Sequence, residues 1–413
     1  MSRTRKQQES PAGYQLGVCF YPEQWPRDRW ARYARQMRAL GLTYVRVGDF
    51  TWSDIEPRPG ELSWDWLDEA IDTLAAEDLR VVIATPTAAP PPWLTKAYPD
   101  ALPVDREGRR LRGGSRRHCD LASGDYRREA ARMCGEFARR YGIHPAVAGW
   151  QIDNELGDHD TGRSYSPAAL ERFRAWLEDR YGTLAALDDA WGARFWSQQY
   201  TSWDEIDLPN LTVAGPNPSH LLDFYRFSSD LITEFLTEHA AIIRAHSPNR
   251  WVTHNFMRFC DQFDHYPAAE PLDFVTWDSY PTGGVEFSDL PLEEKARWAR
   301  TGEPDLVSVN HDLSRGMKPA PHHPWVMEQQ AGQINWAPSN PLPADGAVDL
   351  WTTQTWAHGG ACTSYFRWRA ATIGQELTHS GLLRHDETLD RGAEEIATVA
   401  LNGATLVDEQ RAV

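Results

Sequence analysis

Short β-rich runs alternate with stretches of helical spacing along almost the whole chain, and this alternation constrains the architecture more than any other feature. The runs are Gln15 to Tyr21, Thr43 to Phe50, Arg80 to Thr87, Ala146 to Glu155, Trp251 to Phe256, Phe274 to Pro281, Pro324 to Gln330 and Cys362 to Trp368, eight in all. Between them, Arg27 to Leu40 repeats apolar residues at helical spacing and stops at Gly41. Trp64 to Leu79 follows Ser63 as a cap, and Ser166-Pro167 supplies a cap and first-turn proline for Ala168 to Arg180. Eight strands with helices between them predict an α/β chain closed into a (β/α)8 TIM barrel. A Trp-rich insertion, Gly182 to Asn217 (about residues 183–218), separates the fourth and fifth strands and leads into a long helix from Ser219 to His246. Residues 1–14 read as a flexible tail and 15–413 as the barrel, with one weak helical stretch, Ala393 to Asn402, after the last strand.

The length, 413 residues, suits one barrel with insertions. A formal charge of −17, from 59 acidic against 42 basic residues, argues against nucleic acid, because phosphate-backbone binding rests on basic surface. The five cysteines (Cys19, Cys119, Cys134, Cys260, Cys362) are scattered, odd in number and without CxxC spacing, so neither a disulfide framework nor a zinc knot is expected and a reducing cytoplasm fits. Met1 to Pro11 lacks an apolar core, and no stretch approaches the roughly 18 apolar residues of a membrane span. Nineteen Trp exceed ordinary usage; indole faces stack on the C–H faces of sugars, although packing is the plainer use of each ring.

Two strand-like runs end in carboxylates far apart in sequence, Trp150-Gln151-Ile152-Asp153-Asn154-Glu155 and Trp325-Val326-Met327-Glu328. Active sites of this fold are built at the C-terminal ends of the strands, so both Glu should face one mouth. Hydrolysis of a glycosidic bond needs that pair: one protonated carboxyl to assist departure of the leaving oxygen and one carboxylate to stabilise or attack the anomeric carbon. Asn154 beside Glu155 could hydrogen-bond a sugar hydroxyl. The plainer alternative, a helix cap and an ion-pair partner, is favoured for a lone Asn-Glu and stays open, but two Glu at strand ends among Trp-lined loops tip the balance toward catalysis.

Further segments carry a resemblance to the family 42 glycoside hydrolases, the β-galactosidases of a large clan of retaining barrels. They are Gly17-Val18-Cys19-Phe20-Tyr21-Pro22-Glu23-Gln24-Trp25, Glu56-Pro57, Thr85-Pro86-Thr87, Gly114-Ser115-Arg116-Arg117-His118, Asp153-Asn154-Glu155, Ala190-Trp191-Gly192 and Phe195-Trp196-Ser197-Gln198. Thr253-His254-Asn255-Phe256, Trp277-Asp278-Ser279-Tyr280-Pro281, Glu328-Gln329-Gln330, Asn335-Trp336 and Tyr365-Phe366-Arg367-Trp368-Arg369 continue it. The resemblance implies that Glu155 is the acid/base, Glu328 the nucleophile, and Tyr280 a hydrogen-bond donor to that nucleophile. It further implies that Arg116 and Asn154 contact substrate or nucleophile, that Trp196 and Trp336 form sugar-stacking walls, that Glu376 with His379 holds galactose hydroxyls, and that Arg46 orients the nucleophile.

The resemblance thus implies a retaining β-galactosidase without a cofactor, acting on terminal β-D-galactose, with another β-linked sugar (an α-L-arabinopyranoside or β-glucoside) or a non-hydrolytic carbohydrate-binding barrel as alternatives. Several relatives carry a zinc cluster of cysteines just after the Asn-Glu motif; here that segment is Leu156-Gly157-Asp158-His159-Asp160-Thr161, and Asp120 stands near another expected cysteine. Zinc is therefore not expected, and His322-His323 and His118-Cys119-Asp120 lack a spaced set of four ligands. The resemblance covers the catalytic barrel without the family's trimer-forming and small β-domains, which leaves the oligomeric state open.

Overall fold

A computed structural model describes residues 14–116 and 119–400. Nine strands form one sheet: β1 (Gln15–Cys19), β2 (Tyr44–Val47), β3 (Arg80–Ala84), β4 (Val147–Gln151), β5 (Trp251–Thr253), β6 (Asn255–Phe256), β7 (Thr276–Ser279), β8 (Trp325–Gln330) and β9 (Cys362–Phe366). They pair in the order β5-β4-β3-β2-β1-β9-β8-β7-β6, and every pairing is parallel. The two ends of that order, β5 and β6, are consecutive in the chain and separated only by His254, so they are one stave that bonds β4 below His254 and β7 above it. The sheet is therefore a closed eight-stave barrel, and closure leaves no open edge.

The predicted strands appear in order, but each of the first four is shorter at its C-terminal end than the apolar run suggested. Ladder pairing stops where the chain turns outward to build the mouth: β4 ends at Gln151, not Glu155, and β3 ends at Ala84, after which Pro86–Ala88 and Pro92–Ala97 form short helical turns. Arg27–Ala39 and Pro167–Tyr181 are helical as expected, and the Ser166 hydroxyl accepts from the Ala169 N–H at 3.0 Å. Ser63 is not a cap. Its backbone N–H is tied to Ile55 at 2.8 Å, and the helix starts at Asp65 behind Trp64, with no side-chain cap bond.

The insertion after β4 is helical. Pro167–Tyr181, Leu184–Trp191 and the long helix Pro218–His246 enclose an aromatic core of their own, including Phe173, Trp191, Phe224 and Phe227. Asp223 inside it accepts from Tyr181 at 2.6 Å and Trp191 at 2.9 Å. Residues 391–400 are helical, and the remainder of the expected C-terminal stretch, like the N-terminal tail through residue 13, lies outside the described residues. No helix among the described residues is long and apolar enough to cross a membrane.

Candidate active site

Beyond Gln151 the backbone leaves the ladder and enters the left-handed region twice, at Asp153 (φ 53°) and Glu155 (φ 51°). Residues with a Cβ resist that conformation, so the surroundings must impose it. The Asp153 N–H donates to Thr85 Oγ1 at 2.8 Å, the Asn154 N–H to Asp153 Oδ1 at 2.8 Å, and the Glu155 N–H to Asn255 Oδ1 at 3.2 Å. The result is a kinked tip that turns Glu155 into the mouth. Glu328 lies within β8, in register with Asp278 of β7, where one extra residue between Val326 and Gln329 interrupts the pairing with both neighbouring strands, the kind of bulge that re-aims a side chain.

One carboxylate oxygen from each of Glu155, Asp278 and Glu328 lies within 4.8 Å of the others, and all three residues are at most 5% exposed. Arg46, on β2, reaches across the barrel floor: Nη2 donates to Glu328 Oε1 at 2.6 Å, to Asp49 Oδ2 at 2.7 Å and to the Tyr21 hydroxyl at 3.2 Å, and Nη1 to Gln151 Oε1 at 3.1 Å. The Tyr280 hydroxyl donates to the other Glu328 oxygen, Oε2, at 2.6 Å. Glu155 is held differently, since Arg116 Nη1 at 2.6 Å and Asn154 Nδ2 at 3.0 Å both converge on its Oε2.

These contacts oppose burial. Removal from water pushes the Glu328 carboxyl above its ordinary range and the charge of Glu155 adds to that, while Arg46 and the Tyr280 hydroxyl pull it down. For Arg116, burial works against the charge, but Glu155, Asp158 and Glu328 outweigh it and hold the guanidinium firmly protonated.

Trp336 stands edge-on to Tyr280 at 5.4 Å between ring centroids and is 47% exposed, as a wall at the mouth would be. His379 is 1% exposed, packs on Phe366 and Tyr280, and donates from Nδ1 to Ser380 O at 3.0 Å, while its Nε2 is buried without a partner. Burial lowers its pKa, so this nitrogen is a neutral acceptor waiting for a donor. Glu376 accepts from Arg367 Nη1 at 2.7 Å and remains partly open to solvent. Trp196 is placed elsewhere. It is 71% exposed in a left-handed turn on the insertion and lies against Phe195, not against the rings around Tyr280.

The family model for glycoside hydrolase family 42, described as β-galactosidase, matches residues 19–404. The chain belongs to glycoside hydrolase family 42. A β-galactosidase of Thermus thermophilus is 56% identical over 393 residues, which are 94% of this chain and 61% of that protein. A β-galactosidase of Halorubrum lacusprofundi is 45% identical over 405 residues, 96% of this chain and 57% of that protein. The crystal structure of a β-galactosidase from a psychrophilic Marinomonas superposes with a TM-score of 0.94 at 50% identity, covering 96% of this chain and 60% of that one. The chain thus spans about three fifths of the length of the curated relatives it matches.

Within this family 42 barrel the three clustered carboxylates are, among the described residues, the group that could hold a cation, but Arg46 already occupies Glu328 Oε1 and Arg116 occupies Glu155 Oε2. The histidines that look like ligands in the sequence serve the backbone. His322 accepts from the Val275 N–H at 3.1 Å and contacts Arg315 O, and His323 contacts Gly359 O. Asp120 accepts from Ser164 at 2.9 Å and the Ala122 N–H at 2.8 Å, while His118 lies outside the described residues.

Tyr21, Asp49, Gln151, Asn255 and Asp278 join the site without having been singled out for it. Alternation along a strand is the signal that could have found Asp278, two residues before Tyr280 and so on the same face.

Proposed function

We propose that this chain is the catalytic barrel of a retaining β-galactosidase, in which Glu328 is the nucleophile and Glu155 the acid/base. The observation that carries the reading is the closeness of the two carboxyl groups, one oxygen of each lying within 4.8 Å of the other. Retaining glycosidases hold their carboxyls about 5 to 5.5 Å apart, and inverting ones roughly 6.5 to 9.5 Å to admit a water molecule. Galactose as the sugar rests on the relatives named β-galactosidase and on the acceptor pair Glu376 and His379, suited to hydroxyls whose orientation distinguishes epimers.

In the first step a Glu328 oxygen attacks the anomeric carbon, the glycosidic C–O bond breaks, and Glu155 gives its proton to the departing oxygen. In the second, water attacks that carbon, its proton passes to Glu155, and Glu328 leaves as a carboxylate. Because Arg116 and Asn154 both donate to Oε2 of Glu155, the proton it exchanges is carried on Oε1. Arg46 anchors Oε1 of Glu328 in the floor, and Oε2, beside Tyr280, faces the sugar. Asn154 and Arg116 line the same side of the pocket, and Trp336 is its wall. The unit is taken as residues 15–413, and five scattered cysteines without CxxC spacing support a cytoplasmic location.

The test is Glu328→Gly with azide. The expected product is α-galactosyl azide, formed as the anion enters the space vacated by the carboxylate; a β-linked azide, or turnover like that of the unaltered chain, refutes the assignment. Nitrophenyl β-galactoside, β-glucoside, β-mannoside and α-arabinopyranoside compared side by side test the sugar, and a preference for the glucoside rejects galactose.

A further inference from the structure

Asp278 is the third acid of the cluster, and the double displacement does not use it. It is 3% exposed on β7, in register with Glu328. Its Oδ2 accepts one hydrogen bond, from Asn255 Nδ2 at 2.7 Å, and its Oδ1 is buried without a partner. The groups facing it are Glu328 from β8, Glu155 beyond β4, Arg46 from β2, Asn255 from β6, Cys19 from β1 and Tyr280 from its own segment.

Neither nearby guanidinium donates to it. Nη1 and Nη2 of Arg46 go to Glu328, Asp49, Tyr21 and Gln151 while its Nε is buried without a partner, and the contacts of Arg116 are with Glu155, Asp158 and His159. An ionised Asp278 would be a buried charge with one amide donor, beside the carboxylate of Glu328; the neutral acid leaves only a hydroxyl to be satisfied by solvent or substrate.

Asn255 shows what the contact accomplishes. Its Oδ1 accepts the Glu155 N–H, which fixes the orientation of the amide, since the flipped form would set donor against donor. Its two Nδ2 hydrogens then go to Asp278 Oδ2 at 2.7 Å and Asn154 Oδ1 at 3.0 Å, and Asn154 Nδ2 in turn donates to Glu155 Oε2 at 3.0 Å. Asp278 therefore anchors an amide pair that grips Glu155 at both ends, at the left-handed backbone and at the carboxyl.

We propose that Asp278 is a positioning residue, held as a neutral carboxylic acid, that aims Glu155 through Asn255 and Asn154. The proposal rests on the reading of Glu155 as the acid/base. Burial, reinforced by the charges of Glu328 and Glu155, pushes the Asp278 carboxyl well above its ordinary range, in keeping with a retained proton. That proton sits on Oδ1, leaving Oδ2 to accept from Asn255.

Two substitutions and one spectrum test this on the full chain. Asp278→Asn reproduces the neutral acid, with an amide oxygen for Asn255 and an N–H in place of the hydroxyl. It should keep kcat/KM within about threefold and leave both limbs of the pH profile in place. Asp278→Ala removes the anchor and should lower kcat by about 100-fold with KM little changed, the scale of a catalytic group misplaced by an ångström. Equal losses in the two variants, or a limb moved by about one pH unit in Asp278→Asn, overturn the proposal. The infrared band of a protonated carboxyl at neutral pH needs no turnover. Its intensity should fall from Glu155→Gln to Glu155→Gln combined with Asp278→Asn, the remainder belonging to other buried acids such as Glu23, which burial pushes up to about 8, and equal bands in those two variants overturn the proposal even where Asp278→Ala fails to fold. If the unaltered chain does not cleave galactosides, the proposed function falls, while the infrared band still decides the protonation of Asp278.

Discussion

Replacing Tyr280 by Phe removes one oxygen and little else. The ring keeps its edge-on contacts with Trp336, Phe366 and His379, at 5.4, 6.2 and 6.0 Å, so the wall of the pocket survives. What disappears is the 2.6 Å hydrogen bond to Glu328 Oε2, one of the two influences that hold down a carboxyl raised by burial and by Glu155. A hydrogen bond to a charged group contributes about 1.5 to 3 kcal/mol, which corresponds to about one to two pH units. With the depressing contact gone, Glu328 takes up its proton at higher pH, and the acidic limb of kcat/KM moves upward by that amount.

The two chemical steps should respond differently. In glycosylation the carboxylate spends its charge, so losing the donor costs little in the transition state; in deglycosylation Glu328 departs as a carboxylate and the donor is needed again. Deglycosylation should therefore slow by roughly 10- to 150-fold, the same energy expressed as a rate. Stopped-flow release of nitrophenol should then show a burst larger than that of the unaltered chain, with kcat reduced more than kcat/KM on the alkaline side of the limb. An unmoved acidic limb, with kcat within about twofold, would refute the account of how Glu328 is held.

Gly283 lies under Trp336, and an added Cβ would sit 2.4 Å from Trp336 Cη2 and 2.8 Å from Ile334 Cδ1. Gly283→Ala should displace the indole and raise KM for a galactoside by about two- to tenfold, the scale of one aromatic contact, with kcat nearly unchanged in steady-state assays. Arg46→Met leaves Glu328 and Asp49 without their shared guanidinium, and urea unfolding should reveal a loss of about 3 to 5 kcal/mol. Burial raises Asp153 from its ordinary 3.8 to about 6, so the native chain binds more protons than the unfolded one between those values and loses stability as pH rises through them. Asp153→Asn should abolish that slope, worth about 3 kcal/mol in full, as measured by urea midpoints from about pH 4 to pH 7.

The barrel was legible because each stave is a short apolar run set off by turn residues, and periodicity reads such runs well. Their C-terminal ends were not, because Ile152 continues the apolar pattern of β4 although the ladder stops at Gln151. The left-handed backbone at Asp153 and Glu155 comes from Thr85 and Asn255 on other staves, contacts without local trace. The same limit explains Ser63, a good cap residue by type whose backbone is committed to Ile55. That Glu155 and Glu328 meet in one mouth could be anticipated because a carboxylate ending an apolar run is conspicuous. Asn255 and Asp278 are as polar and as buried and lie in segments that carry the resemblance, but residue type alone assigns neither a role, and only alternation with Tyr280 points to Asp278.

Trp196 marks the boundary between residue type and placement. A Trp in a loop after β4 has the chemistry of a sugar platform, yet stacking requires that a ring be held at the mouth by packing behind it. Trp336 has that support from Gly283 and Tyr280; Trp196 has Phe195 on an exposed turn. Glu328 makes the complementary case, since the resemblance named Tyr280 and Arg46 beside it but no run of residues shows how either reaches it. Its working state depends on Arg46, three staves away round the barrel through β9 and β1, and on Tyr280 beyond the neighbouring stave β7 on the other side. Closure of the sheet brings those two donors to opposite oxygens of one carboxylate, so the chemistry proposed for Glu328 is a property of the closed barrel and not of the strand that carries it.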